Sequence, residues 1–201
     1  RDSDDLAYFS KKARKMLDDA GFEDAIISAS SDLDEYLIDS LKTQGAAITS
    51  WGVGTNLITA KDNPAFGGVY KLAAVMGDDG KFIPKIKLSE NSEKITNPGN
   101  KTVYRVYDTD GMLKADLIAL TDETYDENEP LLLFDPIETW KKTLLQPGEY
   151  TLREIIVPVF KNGECVYTTP PVMDIQKYCK HELATLWDES KRLINPQEVH
   201  V

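Results

Sequence analysis

The stretch AIISASSDLDEYLIDSLKTQGAAITSWGVGTN, residues 25–56, decides the fold. Ala25-Ile26-Ile27-Ser28-Ala29 is an apolar run of strand length. Ser31-Asp32-Leu33-Asp34-Glu35 follows with the side-chain oxygens and the early acid that open a helix. Leu33, Leu37 and Leu41 lie on one stripe of that helix, and Gly45 supplies its stop. Ile48 to Trp51 forms the next strand, closed by Gly52-Val53-Gly54-Thr55. Strands and helices alternating at about 22 residues per unit imply a parallel sheet or a β/α barrel. The expected class is α/β.

Upstream, Asp2, Ser3, Asp4 and Asp5 place capping oxygens and negative charge ahead of an amphipathic helix. Its apolar positions are Leu6, Phe9, Ala13, Met16, Leu17 and Ala20, and Gly21 ends it. Downstream of residue 65 the pattern changes to hairpins. Val69–Met76 and Phe82–Leu88 flank Gly77-Asp78-Asp79-Gly80, and Thr102–Asp108 and Leu113–Leu120 flank Thr109-Asp110-Gly111. Thr121 to Pro130 carries five acidic residues and is expected as a solvated loop. Leu131–Phe134, Ile155–Phe160 and Glu164–Tyr167 supply further strands, the last two joined at Asn162-Gly163. Met173–Leu193 is a closing helix with Ile175, Tyr178, Cys179, Leu183, Leu186 and Leu193 on one side. The expected division is 1–66 for the βα part, 67–170 for the β-rich hairpins and 171–201 for the terminal amphipathic helix and tail.

The chain has 201 residues, of which 41% are hydrophobic, enough for a real core. No apolar run approaches the roughly 20 residues of a membrane span, and no cationic start precedes an apolar stretch. With 23 basic against 34 acidic residues the formal charge is −11, which argues against a nucleic-acid partner. Two cysteines, Cys165 and Cys179, are too few for a disulfide scaffold and suit a reducing cytoplasm. The only histidines are His181 and His200. Cys179 and His181 are two positions apart on a helix and face apart, so they do not form a joint metal site. Arg1-Asp2-Ser3-Asp4-Asp5 has no initiator Met and no strand before it, and it reads as a chain cut within a longer one.

Three polar or Gly-rich clusters, at residues 1–5, 30–34 and 52–56, fall at strand-to-helix turns, the first if a strand precedes residue 1. In β/α barrels such turns share the C-terminal face, where they converge on one pocket. Gly52 and Gly54 would let backbone N–H groups approach a phosphate, and Thr55 adds a hydroxyl; the same pattern also makes a tight turn. Asp2, Ser3 and Asp5, and separately Ser31 and Asp32, suit sugar hydroxyls or Mg²⁺, and they suit helix capping equally.

Together these segments resemble the nicotinate phosphoribosyltransferase family. The resemblance runs through Asp-Ser-x-Asp-Leu-Ala-Tyr at 2–8, Ser-Asp-Leu-Asp-Glu at 31–35 and Trp-Gly-Val-Gly-Thr-Asn-Leu-Ile-Thr at 51–59. It continues through Gly-Gly-Val-Tyr-Lys-Leu at 67–72, Pro-Lys-Ile-Lys-Leu-Ser-Glu-Asn at 84–91, Asn-Pro-Gly-Asn-Lys at 97–101 and Tyr-Cys-x-x-Glu-Leu-x-x-Leu-Trp-Asp-Glu at 178–189. It covers nearly the whole chain in order and matches only the C-terminal part of the family's protein.

The resemblance implies part of a type II phosphoribosyltransferase β/α barrel, then a mixed β-rich region and a C-terminal helix. It implies a cytoplasmic, homodimeric enzyme of NAD salvage that joins nicotinate to 5-phosphoribosyl 1-diphosphate. The products are nicotinate mononucleotide and diphosphate, with Mg²⁺ and with ATP as co-substrate hydrolysed through a phosphorylated His. Carried over, Asp2 and Asp5 are the catalytic carboxylates at ribose and diphosphate, while Arg1, Ser3, Ser31, Asp32, Gly52, Gly54 and Thr55 bind substrate. The motif departs from the family's in having no residue between Arg1 and Asp2 and Asp4 in place of Gly. Neither His181 nor His200 lies in a matching motif, so the chain alone is expected to be inactive. Two other readings stand beside this one: a relative using nicotinamide or quinolinate, and a non-catalytic fragment that binds phosphate or a partner.

Overall fold

The computed structural model describes residues 5–65, 67–88, 95 and 97–197. Two units divide at Arg1–Val69 and Tyr70–Val201.

In the first unit Asp5 caps α1 (Leu6–Asp19), its carboxylate accepting from the Tyr8 N–H at 2.9 Å. The expected apolar stripe is rotated. Ala7 and Ser10 are buried, whereas Phe9 and Met16 are exposed. The small residues face inward because α1 must come close to the neighbouring backbone: the Ser10 Oγ donates to Ala7 O and accepts from the Ala47 N–H at 3.0 Å. β1 (Ser28–Ser30) runs parallel to β2 (Ser50–Gly52), with Ser28 opposite Ser50, Ala29 opposite Trp51 and Ser30 opposite Gly52. Between them α2 (Glu35–Thr43) is capped by Asp34, which accepts from the Leu37 N–H at 2.8 Å. α3 (Thr55–Ile58) is one turn long and follows β2. Leu33 and Leu41 centre the core with Ala7, packed round by Ile38, Ile48, Trp51 and Val53.

Strand–helix–strand order with parallel pairing bears out the α/β expectation; among the described residues β1 and β2 are the parallel pair, and no closed barrel forms. Residues 25–27 of the apolar run lie outside β1, and Ile26 is 73% exposed. Ile27 is already tied to the residues entering β2, its carbonyl accepting from the Thr49 and Ser50 N–H groups, and the regular parallel ladder begins at Ser28.

In the second unit β3 (Ala74–Met76) and β4 (Phe82–Pro84) form the first hairpin, as expected but shorter. β5 (Lys101–Tyr107) and β6 (Leu113–Leu120) pair in antiparallel register from Lys101–Leu120 to Tyr107–Leu113. The turn between them is held by Asp108, whose Oδ1 accepts from the Asp110 and Met112 N–H groups. β7 (Leu131–Phe134) pairs with β8 (Lys142–Leu145), and β9 (Thr151–Glu154) joins the free edge of β5. Val106, Ala115, Leu131, Leu133, Leu145 and Tyr150 form the core between hairpin and sheet. β10 (Phe160–Lys161) and β11 (Glu164–Cys165) turn at Asn162-Gly163, both with positive φ, as a two-residue hairpin demands.

The acidic loop is solvated but also pinned. Glu127 accepts from the Leu152 N–H at 2.6 Å, and the buried Tyr150 hydroxyl donates to the carbonyls of Asp126 and Glu129. Glu123 accepts from the Leu120 N–H and from the Tyr125 hydroxyl, and burial with that bond pushes the Tyr125 phenol up to about 12.

α4 (Val172–Ala184) stops nine residues short of the expected end at Leu193, and Asp188–Lys191 is a separate 3-10 turn. Its end is anchored. The Leu113 N–H donates to Thr185 O, and the Trp187 indole donates to Leu113 O at 2.9 Å. Glu182 Oε2 accepts from Arg105 at 3.1 Å and from Arg153 at 2.6 Å, while Arg105 also holds Asp116 in a two-bond fork. Glu182 Oε1 and the Tyr107 hydroxyl are buried without partners among the described residues. His181 is exposed. No described helix is long and apolar enough to cross a membrane.

Candidate functional site

Parallel pairing puts the carboxyl ends of β1 and β2 side by side. The turns that leave them therefore open on the same edge. Between these turns lies a polar cleft of about 360 Å³ lined by Ser30, Ser31, Asp32, Leu33, Gly54, Thr55 and Asn56. Two of the sequence clusters thus meet as the spacing demanded: Ser31 and Asp32 on one wall, Gly54 and Thr55 on the other.

Each wall has a local cause. Leu33 is 1% exposed, so its side chain fixes the first turn from beneath while Asp32 stays at the surface. Asp34 then opens α2 and leaves Asp32 out of the capping role. On the second wall Gly54 precedes α3, whose first N–H groups have no acceptor within the helix. The Ser31 and Thr55 hydroxyls and the Asp32 carboxylate make no hydrogen bond among the described residues. A Cβ on Gly54 would meet nothing within 4 Å, so the backbone there is bare. Hydroxyls, a carboxylate and open N–H groups in one cleft suit a ligand carrying both an anion and alcohols.

Gly52 does something else. It is not among the lining residues, and a Cβ on it would lie 3.1 Å from Ser30 Cβ. Its smallness lets β1 and β2 close up. Asp5 caps α1 and is likewise outside the lining. Arg1, Asp2 and Ser3 lie outside the described residues.

Asn56 is the residue that the sequence reading passed over. Its Nδ2 donates to Leu33 O at 3.0 Å and to Asp32 O at 3.4 Å, linking the two walls. The only sequence signal for it is its place directly after Gly-x-Gly-Thr.

Comparison with known proteins points to one family. Residues 100–201 match the family model described as the nicotinate phosphoribosyltransferase C-terminal domain. The chain is 47% identical over 201 residues to the nicotinate phosphoribosyltransferase of Bacillus subtilis (strain 168), covering 100% of this chain and 40% of that protein. It is 33% identical over 210 residues to that of Dictyostelium discoideum, covering 97% and 34% respectively. The crystal structure of human nicotinic acid phosphoribosyltransferase has the same fold, with a TM-score of 0.68 at 23% identity over 99% of this chain and 36% of that one. The chain spans between a third and two fifths of the length of these proteins.

Proposed function

We propose, from the premise that this chain belongs to the nicotinate phosphoribosyltransferase family, that its first unit carries the phosphoribosyl-binding part of an NAD-salvage enzyme. In this reading the unit completes a type II phosphoribosyltransferase barrel and the enzyme is a cytoplasmic homodimer. The enzyme joins nicotinate to 5-phosphoribosyl 1-diphosphate: the pyridine nitrogen attacks the anomeric carbon, the bond to diphosphate oxygen breaks, and nicotinate mononucleotide and diphosphate result. ATP hydrolysis drives it.

The observation that carries this reading is the convergence of Ser31 and Asp32 with Gly54 and Thr55 on one cleft. The Thr55 hydroxyl and the bare backbone at Gly54 hold the 5-phosphate. Ser31 and Asp32 hold ribose hydroxyls, and the Asp32 carboxylate favours the positive charge that develops at the anomeric centre. Catalysis by these residues is positioning and electrostatics. Mg²⁺ fits as a bound co-reactant because it takes few protein ligands beside substrate phosphates. Asp32 offers one such carboxylate, and no group of three acids, histidines or cysteines gathers among the described residues. When bound it neutralises diphosphate charge. Asp2 and Asp5 remain the carboxylates proposed nearest the leaving group, with Arg1 and Ser3 beside them.

Thr55→Ala in the full-length protein tests the reading. It removes a donor to a charged phosphate, typically about 1.5–3 kcal/mol or roughly ten- to hundredfold in affinity. The loss is expected for 5-phosphoribosyl 1-diphosphate and not for nicotinate. Equal loss for both substrates, or none, refutes it.

A further inference from the structure

We propose that Asn56 is a positioning residue that sets the distance between the phosphate wall and the ribose wall of the cleft. The inference rests on the phosphoribosyl reading of that cleft. Asn56 is half-buried, and its carboxamide spans from the turn after β2 to the turn after β1, where it meets the carbonyls of Leu33 and Asp32. Both partners are acceptors, so the NH₂ end must face them. Asp at this position would set a carboxylate against two carbonyl oxygens. Ser would be too short to hold both.

The bond is placed where a small change in length matters. Thr55 is the preceding residue, so the phosphate wall is fixed to Asn56 through one peptide unit. Asp32 and Leu33 supply the acceptor carbonyls, and Leu33 is held by the core. The Asn56 amide is thus the direct side-chain link between the Thr55 wall and the Ser31–Asp32 wall. A ligand that touches both walls depends on that link. A ligand that touches one does not. Asn56 also lines the neighbouring cleft of about 530 Å³ beside Ile38, Val53 and Leu57, and its two hydrogen bonds aim the amide away from that space.

Asn56→Leu keeps the shape and removes the donors. In the full-length protein, ribose 5-phosphate touches both walls and inorganic phosphate touches one. Asn56→Leu is expected to weaken ribose 5-phosphate and to raise the KM for 5-phosphoribosyl 1-diphosphate by about fivefold to tenfold, the size of one neutral hydrogen bond. Inorganic phosphate affinity and the nicotinate KM should stay within about twofold. Asn56→Asp should show the same split more strongly, and Asn56→Ser serves if Asn56→Leu does not fold. Equal weakening of both probes, with a matching fall in thermal stability, would make Asn56 a scaffold residue and overturn the proposal. Thr55→Ala measured in parallel separates the two levels. If Thr55→Ala weakens phosphate and the Asn56 variants change nothing, the positioning role is wrong and the cleft reading stands. If Thr55→Ala also changes nothing, the cleft reading falls and the positioning role falls with it.

Discussion

Gly52, the last residue of β2, and Gly54, in the turn that follows, sit two positions apart and answer to different constraints. A Cβ on Gly52 would press on the Cβ of Ser30 at 3.1 Å, and a Cβ cannot swing aside without moving its strand. A Cβ on Gly54 would meet nothing within 4 Å. Neither has positive φ. Gly52→Ala is therefore a packing change, expected to cost about 1–2 kcal/mol of stability by forcing β2 off β1. Gly54→Ala is expected to leave thermal unfolding nearly unchanged and to weaken 5-phosphoribosyl 1-diphosphate by crowding its approach to the backbone. Melting curves and substrate titrations on the two variants check the pair. A fall in stability for Gly54→Ala alone would reverse the assignment. Sequence spacing treats the two glycines as one motif, because it registers that Gly is present and not what its missing atom would strike.

At the scale of elements, caps and hairpin turns were legible because a few adjacent residues dictate them. Asp5 caps α1, and Asp110-Gly111 and Asn162-Gly163 turn their hairpins, whereas the cap of α2 falls on Asp34 and not on Ser31 or Asp32, which the sequence offered for it. β8 and β9 were not legible, since unlike the all-apolar β7 they mix polar and apolar residues over only four positions and are fixed by partners 8 to 50 positions away. The end of α4 was invisible for a related reason. Apolar spacing continues to Leu193, but the chain leaves the helix at Ala184 so that Trp187 and Thr185 can bond Leu113. Glu182, one helical turn earlier, completes this anchorage from between two guanidinium groups, and nothing local in the sequence announces it. Its hydrogen bond from Arg153, then its charge and the bond from Arg105, hold its carboxyl below the ordinary 4.5. The unfolded chain binds the proton more readily there, so Glu182 stabilises the fold above pH 4.5, and that contribution is lost as pH falls through its folded value. Glu182→Gln is expected to lower stability at neutral pH by about 1–3 kcal/mol and to flatten the acid limb of a plot of melting temperature against pH. Asp126, Asp135 and Asp188 also titrate low and will leave some slope. A variant curve parallel to the parent's at every pH would place the anchorage elsewhere.

For the whole molecule, the cleft in the first unit is half of what the proposed reaction needs. It offers hydroxyls, a carboxylate and bare backbone, which bind and orient, but its lining residues include no histidine, the group through which the family resemblance routes the phosphoryl of ATP. His181 is in the second unit and exposed, and His200 lies outside the described residues. The first unit also leaves Ile26, Leu57, Ile58 and Met16 between 63% and 87% exposed beside a two-stranded sheet, which is marginal without further cover. Burying side chains of this size stabilises by roughly 1.5–3 kcal/mol each, so the surrounding protein of a chain 2.5 times as long would steady the cleft as well as complete it. Two outcomes are expected of the 201-residue chain by itself. It should make no nicotinate mononucleotide from nicotinate, 5-phosphoribosyl 1-diphosphate, Mg²⁺ and ATP. Its first unit should lose hydrogen-exchange protection at β1 and β2 well before the sheet of β5, β6 and β9, whose core is closed by the β7–β8 hairpin. Product above background from chain of verified mass and purity would overturn the first expectation, because the residues within this chain would then suffice for turnover. Equal protection of the two sheets would overturn the second, because the parallel pair would then be held by its own packing alone.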